Sequence, residues 1–548
     1  MELIDQHTKG IMEGCKERAR EAGLVFHDET LEYIVTNRDL IELSPKNMIP
    51  TLYDYWVHDI ELLKEKGRYE LYPNNPYETV INTHPPISFY NDNNPDWLNV
   101  MIFYHVLAHI DFFQNNMLFK HTWKGDFEGQ ALSDKRLIAR LRSEKGRKVD
   151  YVIEFARGID NLVNYYSELS ELNYPGELKT SKRLDYYFDF FLQEAIKVKL
   201  HEYQKEIDRY NRTIKQFGDM AESVFFSDIL KKYPEFETLY EKHKRKYREA
   251  PKDLLQYLQE NSSFIKKDEN SWINSVLQII RNTSLYFQPQ MRTKILNEGW
   301  ASYWHEKLFL KDDRIKGNEV SFARVNAKVT ALPRVGLNPY ALGMRLFYNI
   351  EELVNKGKLS YEFQRMENEE ERKKYDMNTG KGEDFVFYVR ENYSDFMFIN
   401  GFIDQDFINK HRLFIAGKRL NDRKGVWEYY VKSRNADEYK KMILNSLYHP
   451  PHIEIDETKT NEKTLYLNHF FEGKPLVREY IENTMMGIEY LWGGSVKLET
   501  TEIEKKSTVP AQFTFYYAHP DIKKETEQSK YQRVLYTMDN KKLSRLVL

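Results

Sequence analysis

Lys294-Ile295-Leu296-Asn297-Glu298-Gly299-Trp300-Ala301-Ser302-Tyr303-Trp304-His305-Glu306 is the stretch on which the reading of this chain turns. It reads as a helix, and the seven-residue step from Glu298 to His305 is two turns, so both side chains leave one face. A carboxylate and an imidazole on one face, among tryptophans and a tyrosine, suit a metal site better than a solvated surface. The stretch needs a partner, and Phe103-Tyr104-His105-Val106-Leu107-Ala108-His109-Ile110-Asp111-Phe112-Phe113-Gln114-Asn115-Asn116 is the best candidate. His105 and His109 are one turn apart, the spacing at which two imidazoles share one ion. The expectation is two packed helices holding a metal through His105, His109, Glu298 and His305.

Outward from these stretches, the 548 residues are enough for a large core and suggest more than one domain. A hydrophobic content of 41% with 30% charged residues is that of a globular chain. A net charge of −3 gives no electrostatic reason to expect nucleic acid as a partner. Cys15 is the single cysteine, which excludes an intramolecular disulfide and a thiolate metal cluster. The N-terminus lacks a signal-peptide pattern, and no apolar run approaches the ~20 residues that span a bilayer. The expectation is a cytoplasmic protein that does not span a membrane.

The pattern along the chain predicts an α+β protein. Residues 1–70 look helical, including Leu52 to Leu63. Tyr72 to Tyr77 is a turn, and Thr79 to Tyr90 reads as an edge strand or extended segment because of Pro85 and Pro86. Asp96 opens the His105 helix. Residues 135–250 are long amphipathic helices with solvated charged faces. Asn338 caps a helix with Pro339 at its first position. Residues 1–366 thus form a large, mainly helical domain. The charged stretch 367–384 is a linker or loop, and residues 385–548 form a smaller α+β domain. Its strands are expected at Phe385–Val389, Thr464–Leu467, Ser495–Leu498, Gln512–Tyr517 and Arg533–Tyr536, with helices at Asp437–Leu447 and Val477–Glu489.

Several stretches resemble one family. Tyr286 through His305 is similar to the hallmark of the SpoVR family (stage V sporulation protein R). So are Val80-Ile81-Asn82-Thr83-His84-Pro85, His109 through Asn116, Asn338-Pro339-Tyr340-Ala341-Leu342-Gly343 and Val496-Lys497-Leu498-Glu499-Thr500. The resemblance implies a bacterial, cytosolic protein linked to spore cortex formation in spore formers, and a genetic neighbourhood with a PrkA-type serine kinase and a von Willebrand A-like protein. It implies no settled activity. A second resemblance is to gluzincin aminopeptidases, which bind zinc through His-Glu-x-x-His and a later Asn-Glu-Gly-Phe-Ala helix. His105-Val106-Leu107-Ala108-His109 and Asn297-Glu298-Gly299-Trp300-Ala301 look like those two helices. Val106 replaces the general-base glutamate, and the gap between the motifs is far longer than in gluzincins.

The donor set suits zinc, or iron or manganese if water completes a higher coordination. Three protein ligands leave an open position, whereas four close a tetrahedral site and argue for a structural role. Glu306, about 80° around the helix from Glu298, is the candidate general base. Asn116 either touches substrate or caps its helix. Asp111, on the far side from the histidines, suits supporting work. Asn338 and Tyr340 read as a helix cap and a packing aromatic. Arg292, Lys294, Arg324, Arg334 and Arg345 either bind a substrate carboxylate or form salt bridges. Two functions follow as expectations. One is a metal-dependent amide hydrolase acting on peptidoglycan-derived peptides or their precursors. The other is a non-enzymatic regulatory or scaffold protein that works with the kinase and carries a structural metal.

Overall fold

The computed structural model describes residues 2–27, 29–36, 78–119, 127–164, 181–196, 198, 200–246, 253–421, 425–503 and 531–548. The expected helix at Leu52 to Leu63, the turn at Tyr72 to Tyr77 and the strand at Gln512 to Tyr517 lie outside these. Contacts divide the chain into Met1–Val163 with Leu258–Leu548 as one compact unit and Asn164–Tyr257 as another.

The first unit is mainly helical, with a smaller sheet-containing C-terminal region, as the sequence pattern predicts. It opens with β1 (Glu2–Leu3), α1 (Gln6–Glu21), β2 (Leu31–Val35), β3 (Glu78–Ile81) and β4 (Ile87–Asn91), whose strands form a sheet in the order β1-β2-β4-β3. The all-helical reading of residues 1–70 therefore fails at Leu31-Glu32-Tyr33-Ile34-Val35. That short β-branched run pairs in parallel with β4, a partner more than fifty residues away that local periodicity does not reveal. Only β3 is an edge strand in the 79–90 region; β4 lies inside the sheet.

Five helices surround the site. Helix α2 (Asp96–Asn115) is buried from Leu98 to Phe113 with no polar stripe, the mark of a helix in the centre of a core. Helix α3 (Trp272–Arg292) runs through Pro289 and ends at Thr293, where α4 (Lys294–Phe309) begins. Helix α4 packs between α2 and α6 (Pro339–Asn355); α5 (Glu319–Val329) lies against α2.

Phe385–Val389 is not a strand but part of α7 (Gly382–Asn392). Its buried Val386, Val389 and Arg390 follow helical spacing, and the Gly382 N–H donates to Asn355 Oδ1 (2.8 Å), fixing the helix start on α6. Within 367–384 a short helix, Glu369–Lys374, is followed by backbone bonds from Met377 to Lys356 and from Thr379 to Asn355. Helix α8 (Asp395–Phe402) comes next. The C-terminal region then holds the hairpin β5 (Ile415–Asn421) and β6 (Val426–Ser433). A second sheet follows, with β7 (His452–Ile455), β8 (Thr464–Phe470), β9 (Ser495–Ile503), β10 (Tyr531–Asp539) and β11 (Lys542–Val547) in the order β11-β10-β9-β8-β7. Helices Ala436–Ser446 and Arg478–Trp492 fall where expected.

The second unit is helical. Tyr187, Phe191, Phe225, Phe226 and Phe236 form its aromatic core, and Leu200–Phe217 presents a largely exposed charged face. Among the described residues no helix is long and apolar enough to cross a membrane.

Candidate metal centre

Helices α2 and α4 run antiparallel: His109 meets Asn297 and Glu298, while His105 meets His305. Two contacts set α4 in place. The buried Asp395 carboxylate of α8 accepts the Ile295 and Leu296 N–H groups (3.0 and 2.8 Å), capping α4 from another helix. Farther along, Gly299 of α4 meets Gly343 of α6 backbone to backbone.

His105, His109 and Glu298 each turn one ligand atom into a common space, all within 4.8 Å of one another. His105 Nε2 lies 3.1 Å from His109 Nε2, and Glu298 Oε2 lies 3.6 Å from His109 Nε2. Ligands about 2.0–2.1 Å from a tetrahedral metal stand roughly 3.4 Å apart, between these two values.

Hydrogen bonding on the far sides of the rings bears on which ring atoms face the shared space. Asn326 Nδ2 donates to Glu306 Oε2 (2.5 Å), which turns Asn326 Oδ1 toward His305 Nε2 (3.0 Å). His305 therefore carries its proton on Nε2 and presents a bare Nδ1. That Nδ1 faces His105 Nδ1 at 2.9 Å, and the Ala301 backbone carbonyl also accepts from the His105 ring; a proton on His105 Nδ1 leaves its Nε2 as the ligand atom. His109 Nδ1 donates to Asn297 Oδ1 (2.9 Å), and its Nε2 is likewise bare. Two nitrogen lone pairs and a carboxylate thus converge, and Glu298 Oε2 is buried without a hydrogen-bond donor. Protonation is an unfavourable remedy. Burial, then the neighbouring imidazoles, push His105 well below its usual range, and burial pushes His305 down to about 4. The three acceptors fit a divalent metal.

The other expected site residues fall outside that triad. His305 touches His105 rather than the shared space. Glu306 has both oxygens engaged, Oε1 by the Tyr348 hydroxyl (2.8 Å) and Oε2 by Asn326. Asn116 is the C-terminal cap residue of α2; its Nδ2 donates to the carbonyls of Arg390 (2.7 Å) and Tyr393 (3.1 Å), and its Oδ1 accepts the Leu118 N–H. It stands about 16 Å along the helix axis from His105. Asp111 accepts from the Val25 N–H and Trp300 Nε1, and burial raises it to about 6. Asn338 caps α6 and Tyr340 stacks on His105, centroids 6.0 Å apart. Arg345 is spent on the Thr330 and Ala341 carbonyls.

Sequence reasoning passed over Asn297, Asn326, Tyr348 and Asp395. Asn297 was legible, being the residue before Glu298 in the motif. Asn326 and Tyr348 belong to no motif, and their roles arise only from helix packing.

Comparison with known proteins agrees with the family resemblance. The chain is 23% identical over 500 residues to the uncharacterized protein YcgB of Escherichia coli (strain K12), covering 85% of this chain and 86% of that protein. No solved structure matches. The model of the family described as "SpoVR like protein" matches residues 4–449, so the chain belongs to the SpoVR-like family.

Proposed function

We propose that the protein is a metal-dependent hydrolase of an amide bond, with a divalent metal, zinc in the first instance and iron or manganese as alternatives, held by His105, His109 and Glu298. The observation that carries the reading is the convergence of ligand atoms of His105, His109 and Glu298 within 4.8 Å of one another, with Glu298 Oε2 buried and lacking a hydrogen-bond donor. With His305 engaged by His105, three protein ligands remain, the number that leaves a coordination position for substrate or water. A divalent cation bound there supplies Lewis acidity, polarising a carbonyl and activating water. In the net reaction the acyl–nitrogen bond breaks, the acyl carbon takes the oxygen of water, and the nitrogen takes a proton. Asn297 and His305 hold the two ligand imidazoles in the required tautomer. Peptidoglycan-derived peptides or their precursors are the proposed substrates, on the strength of what SpoVR membership implies for the spore cortex.

A second reading has its own observation. Val106 stands where gluzincins have their general base, and Glu306 is committed to Tyr348 and Asn326. This favours a regulatory or scaffold protein with a structural metal, working with a PrkA-type kinase and a von Willebrand A-like protein through its C-terminal sheet region. Metal analysis of the wild type, His109→Ala and Glu298→Ala, together with turnover of cell-wall peptides, decides. Stoichiometric metal lost in both variants, with hydrolysis lost alongside it, is the expected result. Metal with no hydrolysis moves the assignment to the scaffold, and hydrolysis retained in Glu298→Ala rules out this centre as its source.

A further inference from the structure

A cavity of about 320 Å³ shares the His105 wall of the centre. Met101, Ile102 and Val329 supply its apolar side, and Tyr340, stacked on His105, lines it as well. The polar side chains at its edge are turned to other partners. Asn338 donates to the Val329 and Ala331 carbonyls and accepts from Ala341, while His305 uses both nitrogens, on His105 and Asn326. None of the lining residues is an Asp, Glu, Lys or Arg.

A wall of this kind rewards an apolar guest and penalises a charged one, whose lost hydration it does not replace. The size is informative too: an apolar cavity of roughly 150 Å³ holds benzene, so twice that volume takes about twelve non-hydrogen atoms. We infer that this cavity receives an apolar group of the substrate, a medium-length acyl chain or an aromatic ring, beside the metal ligand His105. The inference rests on the proposed metal site and narrows its substrate to an amide that carries such a group. The arginines near the motifs take no part in it.

The test is calorimetric titration of the zinc-loaded full chain with straight-chain hydroxamates, from acetohydroxamate to dodecanohydroxamate, with zinc content measured on the same samples. Wild-type affinity is expected to rise at least about tenfold from two to eight carbons and to stop rising once the cavity is full. Val329→Trp, which fills the cavity, is expected to remove that gain. Acetohydroxamate and octanohydroxamate binding wild type within about twofold of each other, at full zinc occupancy, overturns the inference and leaves the metal site standing. Butylbenzene, which needs no metal, separates the two ideas. Saturable binding to the zinc-free protein, lost in Val329→Trp, supports the cavity where zinc itself fails to bind. Absence of both zinc and butylbenzene binding overturns both.

Discussion

Gly299 and Gly343 are the crossing point of α4, which carries Glu298, and its neighbour α6. A Cβ on Gly343 would lie 2.6 Å from Gly299 Cα, and one on Gly299 would lie 2.9 Å from the Met344 nitrogen. Neither neighbour is a flexible side chain, so no local adjustment relieves the clash. Gly299→Ala and Gly343→Ala are each expected to destabilise the protein by about 3 kcal/mol or more, at the upper end of overpacking costs. Chemical denaturation measures this, and a loss under about 1 kcal/mol in both variants would show that α4 and α6 are farther apart.

The tautomer chain predicts a graded response in metal affinity. His109→Ala and Glu298→Ala remove ligands and are expected to abolish stoichiometric binding. His305→Ala removes a partner of His105, and Asn326→Ala removes the group that fixes His305, so metal at saturation stays stoichiometric while affinity falls roughly 10–100-fold. Competition with a chromophoric chelator separates the two classes. Complete loss of metal in His305→Ala would make His305 a direct ligand.

The physical reason for His305's place was available in the sequence. Residues seven apart share a helix face but stand about 10 Å apart along the axis, too far to bind one small ion from one straight helix. His105 and His109, one turn apart, do not suffer this. The triad was therefore legible from spacing and from the Asn297-Glu298-Gly299 motif. Its support was not, because Asn326 and Tyr348 reach Glu306 only through the packing of α5 and α6 on α4. The same limit governs the fold. The C-terminal strands at Thr464 and Ser495 announced themselves by alternation, whereas Leu31–Val35 depends on a distant parallel partner. Phe385–Val389 alternates like a strand and is helical because α6 offers Asn355 to its start.

Asn116 serves as a discriminating control. It is 1% exposed, and its amide satisfies the Arg390 and Tyr393 carbonyls at the end of α2. Asn116→Ala leaves those groups buried without donors, at an expected cost of about 2 kcal/mol. Metal stoichiometry is expected to stay at the wild-type value, because the Asn116 amide is engaged by Arg390, Tyr393 and Leu118 and the nearest ligand, His109, is about two turns away. Thermal unfolding with parallel metal analysis checks both statements, and a stable variant with lost metal would place Asn116 in the site after all.

Asp395 gives the protein a specific pH dependence. Burial raises its carboxyl to about 7, against the bonds from the Ile295, Leu296 and Lys294 backbone, which lower it. The folded state therefore holds this proton more tightly than the unfolded chain, whose carboxyl titrates near 3.8. By linkage, the contribution of Asp395 is fully present below about pH 3.8 and is lost as pH rises toward 7. His305 works in the opposite sense: lowered to about 4, it contributes above its ordinary 6.5 and loses that as pH falls. The two are separated by difference. In the metal-free protein, wild type minus Asp395→Asn, followed by denaturant midpoint from pH 4 to 8, is expected to decline by a few kcal/mol across the range and level off above 7. A flat difference profile would mean that Asp395 is ionised when it caps α4, and a rising one would reverse the sign of its coupling to folding.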